Sequence, residues 1–234
     1  MNLFSFLTKI VPTACLLCKK MGHHSVANLC ADCQRELPYL HTACQQCALP
    51  MAFDSQTCGH CSRHPRHYQR SLCAFVYAPP VDRLILRVKQ GSDLCPLLTL
   101  ASIFVQKLKQ TNEPLPDAIV PVPLYWRRQL SRGFNQSQTL ALFVGERMAI
   151  PVRQYWLTRE INTRSQQGLK RSQRQTNLKR CFVANPAVKG RHIALFDDVI
   201  TTGATMEAAS IALKDAGAKT IVAWGIARTA APSN

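Results

Sequence analysis

The sequence predicts an α/β fold with a mainly parallel sheet flanked by helices, preceded by a double zinc ribbon. Three observations carry this prediction: four CxxC pairs crowd into the first 61 residues, strand and helix signals alternate after Tyr68, and one apolar strand ends in two acids and a small-residue loop. Alternation of short apolar runs with amphipathic segments is the pattern of parallel sheets covered by helices.

The cysteines come first in the chain. Eight of 11 form the pairs Cys15/Cys18, Cys30/Cys33, Cys44/Cys47 and Cys58/Cys61, separated by 11, 10 and 10 residues. A CxxC turn aims two thiolates at one centre, and two such knuckles complete a tetrahedral zinc site. Four pairs therefore predict two zinc ions. With thiolates filling every position, both sites are structural. Sequential pairing of adjacent knuckles is expected, with an interleaved arrangement as the alternative. A thioredoxin-like redox pair would need a surrounding βαβ pattern, which is missing here. His23, His24, His60, His64 and His67 lie nearby and are expected to be solvated. Cys73, Cys95 and Cys181 sit in apolar contexts and are expected to pack in the core.

Beyond Tyr68, LCAFVYA (72–78) predicts a strand, PPVDRLILRVKQ (79–90) a helix with proline in its first turn, and 94–109 a second helix. TNEPLP is a loop, DAIVPVP (117–123) a buried strand, FNQSQTLALFVGERMA (134–149) a helix and PVRQYWLTR (151–159) a strand. A polar, basic stretch covers 162–180, followed by CFVA (181–184) as a short strand. HIALFDDV (192–199) is a strand, TTGAT a tight loop, 205–217 a helix closed by Gly217, and TIVAWGIAR (220–228) the last strand. The expected division is a ribbon unit over 1–68 and an α/β domain over 69–234.

The composition excludes some classes. The 234 residues are 47% hydrophobic, enough for a core, so disorder throughout is excluded, and apolar runs are too short for a membrane helix. The start, MNLFSFLTKIVPTAC, lacks a basic leader region and is interrupted by Lys9 and Pro12, which argues against a signal peptide. A cytoplasmic, reducing location is expected. The net charge of +16 is uneven: residues 161–191 hold eight basic side chains and no acidic one. A concentrated block points to one specific anion or one nucleic-acid-facing edge rather than to general polyanion affinity.

The strongest chemical signal is ALFDDVITTGAT (194–205). In open α/β sheets ligands bind beyond the carboxyl ends of strands. Here that position holds Asp197 and Asp198, then a loop into a helix N-terminus. Backbone N–H groups from Thr201 through Thr202, Gly203, Ala204 and Thr205, the threonine hydroxyls and the helix dipole suit a dianionic phosphate. The carboxylates repel that phosphate and are placed instead for neighbouring hydroxyls or a divalent cation. Phosphate beside diol describes a phosphorylated ribose. The loop is neither a Walker loop nor GxGxxG.

These residues resemble the phosphoribosyl-pyrophosphate (PRPP) motif of type I phosphoribosyltransferases, with Val199 inside it. The paired CxxC units, VPVPL (120–124), RGFNQS (132–137), the QxxL and RxxN spacing of Gln166, Leu169, Arg174 and Asn177, and DDVITTGAT together resemble the ComF family, most closely its GntX-type members. The resemblance covers nearly the whole chain. It implies a type I phosphoribosyltransferase-like domain with a hood over about 72–110 and a flexible loop over about 162–180.

By that resemblance, Arg128, Arg132 and Gly133 lie where pyrophosphate is contacted, and guanidinium forks suit phosphate oxygens. Arg127 and Arg128 are equally readable as solvated helix charges, and Asn135 and Gln136 as a helix cap or ligand contacts. Arg164, Gln166, Lys170, Arg171, Arg174 and Asn177 belong to the loop expected to close over PRPP. Lys89 matches a lysine common in the family, although the KQGSD around it departs from the family pattern. Asp197, Asp198 and Arg132 are the candidate catalytic residues, with Mg²⁺ accompanying PRPP. Three functions follow: PRPP-dependent transfer to an unidentified acceptor, a PRPP sensor whose ribbons and basic loop hold single-stranded DNA, or a scaffold whose ribbons recruit a partner protein, for which DNA-uptake machinery is the candidate. The family's link to DNA uptake and to DNA as nutrient supports the DNA context. Phe53, His64, His67 and Tyr68 are the side chains available for stacking bases.

Overall fold

The computed structural model describes residues 13–22, 28–53, 56–90, 93–124, 134–160 and 181–230. Strands β1 (Thr13–Ala14) and β2 (Met21–Gly22) pair antiparallel, and short helices α1 (Ala31–Arg35) and α2 (Gly59–Arg63) follow the second knuckle's first cysteine and the fourth's. The sheet comprises β3 (Arg70–Val76), β4 (Ala118–Pro121), β7 (His192–Ile200) and β8 (Thr220–Arg228), in the spatial order β3-β8-β7-β4 with every pair parallel. Helices α3 (Val81–Gln90) and α4 (Cys95–Lys109) connect β3 to β4, α5 (Gln136–Met148) follows β4, and α6 (Ala204–Asp215) joins β7 to β8.

Helices cover both faces because the inner strands are apolar on both. Ala194 and Phe196 of β7, with Trp224 and Ile226 of β8, pack against α3, α4 and α5. Ile193 and Leu195, with Ile221 and Ala223, pack against Met206, Ala209 and Leu213 of α6. Side chains alternate along a strand, so continuous apolar runs are what a doubly covered sheet requires. On the first face Phe104 meets Phe196 edge-on, at 5.5 Å between centroids, and Trp224 at 6.0 Å.

The ribbons pack on this domain at several points. Cys15, Leu29 and Leu37 join the first core, while Leu40, Ala48 and Tyr68 join the second. Lys107 of α4, half-buried, sets its ammonium against the carbonyls of Leu40, at 2.7 Å, and Cys73, at 3.0 Å. A buried ammonium is tolerated only with such partners.

Two expectations change. The 151–159 stretch is not one strand: Val152 makes a lone bridge to Ile119, Gln154–Trp156 form a 3₁₀ turn, and only β5 (Leu157–Arg159) pairs, antiparallel with β6 (Phe182–Ala184). Once the backbone turns at Gln154, its hydrogen bonds are local and no ladder continues. The first helix begins at Val81, after both prolines, with Leu84 N–H bonding the Pro80 carbonyl at 3.1 Å. Cys73 and Cys181 are buried as expected, and Cys95 is half-buried, its sulfur accepting from Asn28 Nδ2 at 3.1 Å.

Candidate metal centres and anion site

The knuckles pair sequentially. Cys15, Cys18, Cys30 and Cys33 converge in one cluster and Cys44, Cys47, Cys58 and Cys61 in another, each with sulfurs within 4.8 Å of one another. Bonds of about 2.3 Å in a tetrahedron put ligand sulfurs about 3.8 Å apart. The Cys18–Cys30 sulfurs lie at 3.7 Å and the Cys47–Cys58 sulfurs at 3.8 Å. Backbone N–H groups already point at the sulfurs: Cys30 N to Cys15 Sγ at 3.5 Å and Cys58 N to Cys44 Sγ at 3.3 Å. These donor sets fit Zn²⁺ in closed structural sites. No histidine completes either cluster among the described residues.

The thiol acidities are split within each cluster. Burial raises Cys15, but hydrogen bonds from the Cys30, Cys18 and Leu17 backbones outweigh it and bring the thiol down to about 6. Burial and the neighbouring sulfurs push Cys33 up to about 12. In the second cluster Cys58 falls to about 7, hydrogen bonds from Cys61 and its neighbours outweighing burial, while Cys61 is pushed up by burial and by Cys47. Sulfurs this close cannot all ionise without a cation between them.

The candidate anion site grows from β7. Its carboxyl end delivers Asp197, Asp198 and Val199, all half-buried, beside the end of β4, where Pro121 pairs with Phe196. The next residues, Thr201 and Thr202, are exposed, Gly203 is buried, and Ala204 and Thr205 open α6 half-buried. Gly203 sits at φ 78°, in the left-handed region where a Cβ is unfavourable. Thr202 Oγ1 accepts from Ala204 N at 3.3 Å. The loop therefore presents two exposed threonines at the N-terminus of a 12-residue helix.

Burial pushes Asp197 up to about 7, and the adjacent Asp198 adds to this. Ser137 Oγ, in the first turn of α5, opposes the shift through a 2.7 Å bond to Asp197 Oδ1. Asp197 Oδ1 also accepts from Asp198 N at 2.9 Å, and Asp198 Oδ1 from Val199 N at 2.7 Å. Asn135 is a helix cap: its side chain accepts from Ser137 N at 3.0 Å and donates to the Val122 carbonyl at 3.1 Å. Gln136 is buried, and its Nε2 has no hydrogen-bond partner among the described residues.

The expected pyrophosphate residues Arg127, Arg128, Arg132, Gly133, Arg164, Gln166, Lys170, Arg171, Arg174 and Asn177 lie outside the described residues. His60, His64 and His67 are exposed, the first two with rings 5.2 Å apart. Tyr68 is a correction: at 1% exposure it is closed to base stacking, because strand β3 begins two residues later and draws it into the core. Phe53 remains exposed.

Sequence reasoning missed Arg228, Arg66 and Glu207. Arg228 ends β8 yet is buried, with hydrogen bonds to Cys47, Ile200, Thr201 and Thr229. Glu207, in the first turn of α6, accepts from His67 N at 3.2 Å. An arginine closing a buried strand that pairs with the acidic one was the available signal.

A family model described as a double zinc ribbon domain matches residues 6–62. The DNA utilization protein YhgH of Salmonella typhi is 34% identical over 226 residues, covering 94% of this chain and 98% of that protein. Competence protein F of Haemophilus influenzae is 33% identical over 238 residues, covering 97% and 99%. Among solved structures, the B. subtilis glutamine PRPP amidotransferase complexed with ADP and GMP aligns at 19% identity with a TM-score of 0.36, over 51% of this chain and 24% of that one. No helix among the described residues is long and apolar enough to cross a membrane.

Proposed function

The chain belongs to the family of the DNA utilization protein YhgH and competence protein F, and on that premise we propose that it binds PRPP and transfers its phosphoribosyl group in support of DNA uptake or use. The observation that carries this reading is the end of β7, where two half-buried carboxylates adjoin two exposed threonines and a buried glycine at a helix N-terminus. In this reading the 201–205 loop takes the 5′-phosphate, and Asp197 and Asp198 accept from the ribose hydroxyls. Arg128, Arg132, Gly133 and the segment with Arg164, Gln166, Arg174 and Asn177 are assigned to pyrophosphate by resemblance.

In transfer, the bond from the anomeric carbon to pyrophosphate breaks as the bond to the acceptor forms, through an oxocarbenium-like transition state. The chain's own part is positioning: the loop holds one end of the sugar, the carboxylates fix the ring, and arginines receive the departing charge. Mg²⁺ with PRPP supplies further neutralisation of pyrophosphate when bound. The two Cys₄ clusters hold zinc as folding elements. In this reading the ribbon unit over 1–68 and the domain over 69–234, with the hood and the loop that the resemblance implies, act together in the cytoplasm, with single-stranded DNA and DNA-uptake proteins as the partners this role entails.

Calorimetry with PRPP and Mg²⁺ tests the site. Combined D197N and D198N substitution is expected to abolish PRPP binding while leaving DNA binding intact, and unchanged PRPP affinity would overturn the assignment. Incubation with PRPP, Mg²⁺ and a panel of bases and nucleotides then separates transfer from sensing: release of pyrophosphate supports transfer, and binding without release supports a sensor.

A further inference from the structure

Arg228 is 5% exposed, and its guanidinium is shared between the second cysteine cluster and the anion loop. Nε donates to the Cys47 carbonyl at 2.9 Å, inside the third knuckle. Nη1 donates to the carbonyls of Ile200, at 3.2 Å, and Thr201, where the loop begins, and to the Thr229 carbonyl at 2.9 Å and hydroxyl at 3.2 Å. A peptide is planar and trans, so a carbonyl and the following N–H point in opposite directions. With the Ile200 and Thr201 carbonyls drawn onto Arg228, the N–H groups of Thr201 and Thr202 are turned away from it.

A second link reaches the loop at Gly203. A Cβ there would lie 3.5 Å from the Tyr68 hydroxyl and 4.0 Å from Arg66 Nη2. The Tyr68 hydroxyl and Arg66 Nε are both buried and have no hydrogen-bond partner among the described residues. Arg66 also interacts with the Cys61 sulfur, a member of the same cluster. Four thiolates around Zn²⁺ make a dianion, with Arg66 as a cation beside it, while Arg228 holds the Cys47 carbonyl within the same cluster. A buried cation without an anion nearby is costly, and so is a buried polar atom left unpaired.

We propose that the second cysteine cluster and the 200–203 loop form one unit, with Arg228 as the positioning residue between them and the Tyr68 hydroxyl as the buried donor for the bound phosphate. The proposal rests on the reading of the loop as the 5′-phosphate site. A phosphate dianion in the loop draws on Arg66, which also faces the metal–thiolate cluster, and any shift of the loop carbonyls passes through Arg228 to Cys47. Ligand binding is therefore felt at the second metal site. The first cluster, whose Cys15 packs in the other core, is not addressed by these links.

The test uses the full chain with both clusters loaded with ¹¹³Cd, titrated with PRPP and Mg²⁺ and, separately, with inorganic phosphate, while calorimetry follows binding on the same samples. C18S changes the donor set of the first cluster alone and so assigns the two resonances. Saturation is expected to shift the second resonance and leave the first in place. R228K is expected to weaken PRPP binding about tenfold and remove the shift, and Y68F, which deletes only a hydroxyl, to weaken it by a similar factor, the size of a lost hydrogen bond to a charged group. PRPP binding with no movement of the second resonance, or with unchanged affinity in Y68F, overturns the proposal and leaves the functional reading standing. Absence of PRPP binding to the unaltered chain overturns both.

Discussion

Ser137 Oγ donates to Asp197 Oδ1 at 2.7 Å, joining the first turn of α5 to the end of β7. The bond stabilises an ionised carboxylate in a place where burial and Asp198 favour the neutral form and hold Asp197 at about 7. An aspartate in an unfolded chain titrates near about 4. Between these values the folded protein holds the extra proton, so the contribution of Asp197 to stability is fully present below about pH 4 and is lost as pH rises through about 7. D197N removes that dependence. The variant is expected to gain over the unaltered chain as pH rises from 4 to 8, by on the order of 1–3 kcal/mol. Thermal unfolding at pH 5 and pH 8 measures it, and a gap that does not widen with pH contradicts it.

The same bond makes a prediction about ligand binding. Under the proposed function, the ribose hydroxyls donate to an ionised Asp197, so PRPP affinity rises with pH through the carboxyl's titration. S137A removes a side-chain hydroxyl that lowers Asp197, so the midpoint of that rise is expected to move upward. Calorimetric titrations of both proteins from pH 5.5 to 8.5 give the two midpoints, and coincident midpoints contradict the prediction.

Gly203 is constrained by its backbone more than by its neighbours. At φ 78° an L side chain is strained, while the nearest atom to an added Cβ, the Tyr68 hydroxyl at 3.5 Å, is at ordinary contact distance. G203A is expected to cost about 1–2 kcal/mol, lowering the melting temperature by a few degrees. The 201–205 loop is the part displaced, so under the proposed function phosphate or PRPP affinity should fall by more than the stability loss implies. Equal stability with unchanged affinity would show that the loop tolerates the substitution.

What the residues announced in advance was whatever depends on local pattern. The runs 192–199 and 220–228 are apolar on both faces, and both are central parallel strands. The CxxC spacing indicated two clusters, and the order of knuckles follows the chain. PVRQYWLTR misled because β-branched and aromatic residues favour strands, whereas Gln154–Trp156 turn locally. Arg228 and Tyr68 were not legible for a different reason. Their roles come from segments 27 and 135 residues away in the chain, the loops at Thr201 and Gly203, and no periodicity records such contacts.

The two clusters differ in exposure, and metal release should record it. In the first, Cys18 is exposed and Cys30 and Cys33 are half-buried; in the second all four sulfurs belong to buried residues. A chelator must reach the ion or wait for an opening, and openings are rarer where the surroundings are buried. Two zinc ions per chain are expected to leave in two steps, the first cluster's ahead of the second's. Since the second cluster's carbonyl at Cys47 is held by Arg228, the slow step should coincide with loss of folded structure, as metal binding and folding are linked. Metal analysis together with chelator-release kinetics and circular dichroism measures all three quantities. One ion per chain, a single release step, or a slow step with no structural change would each contradict this account.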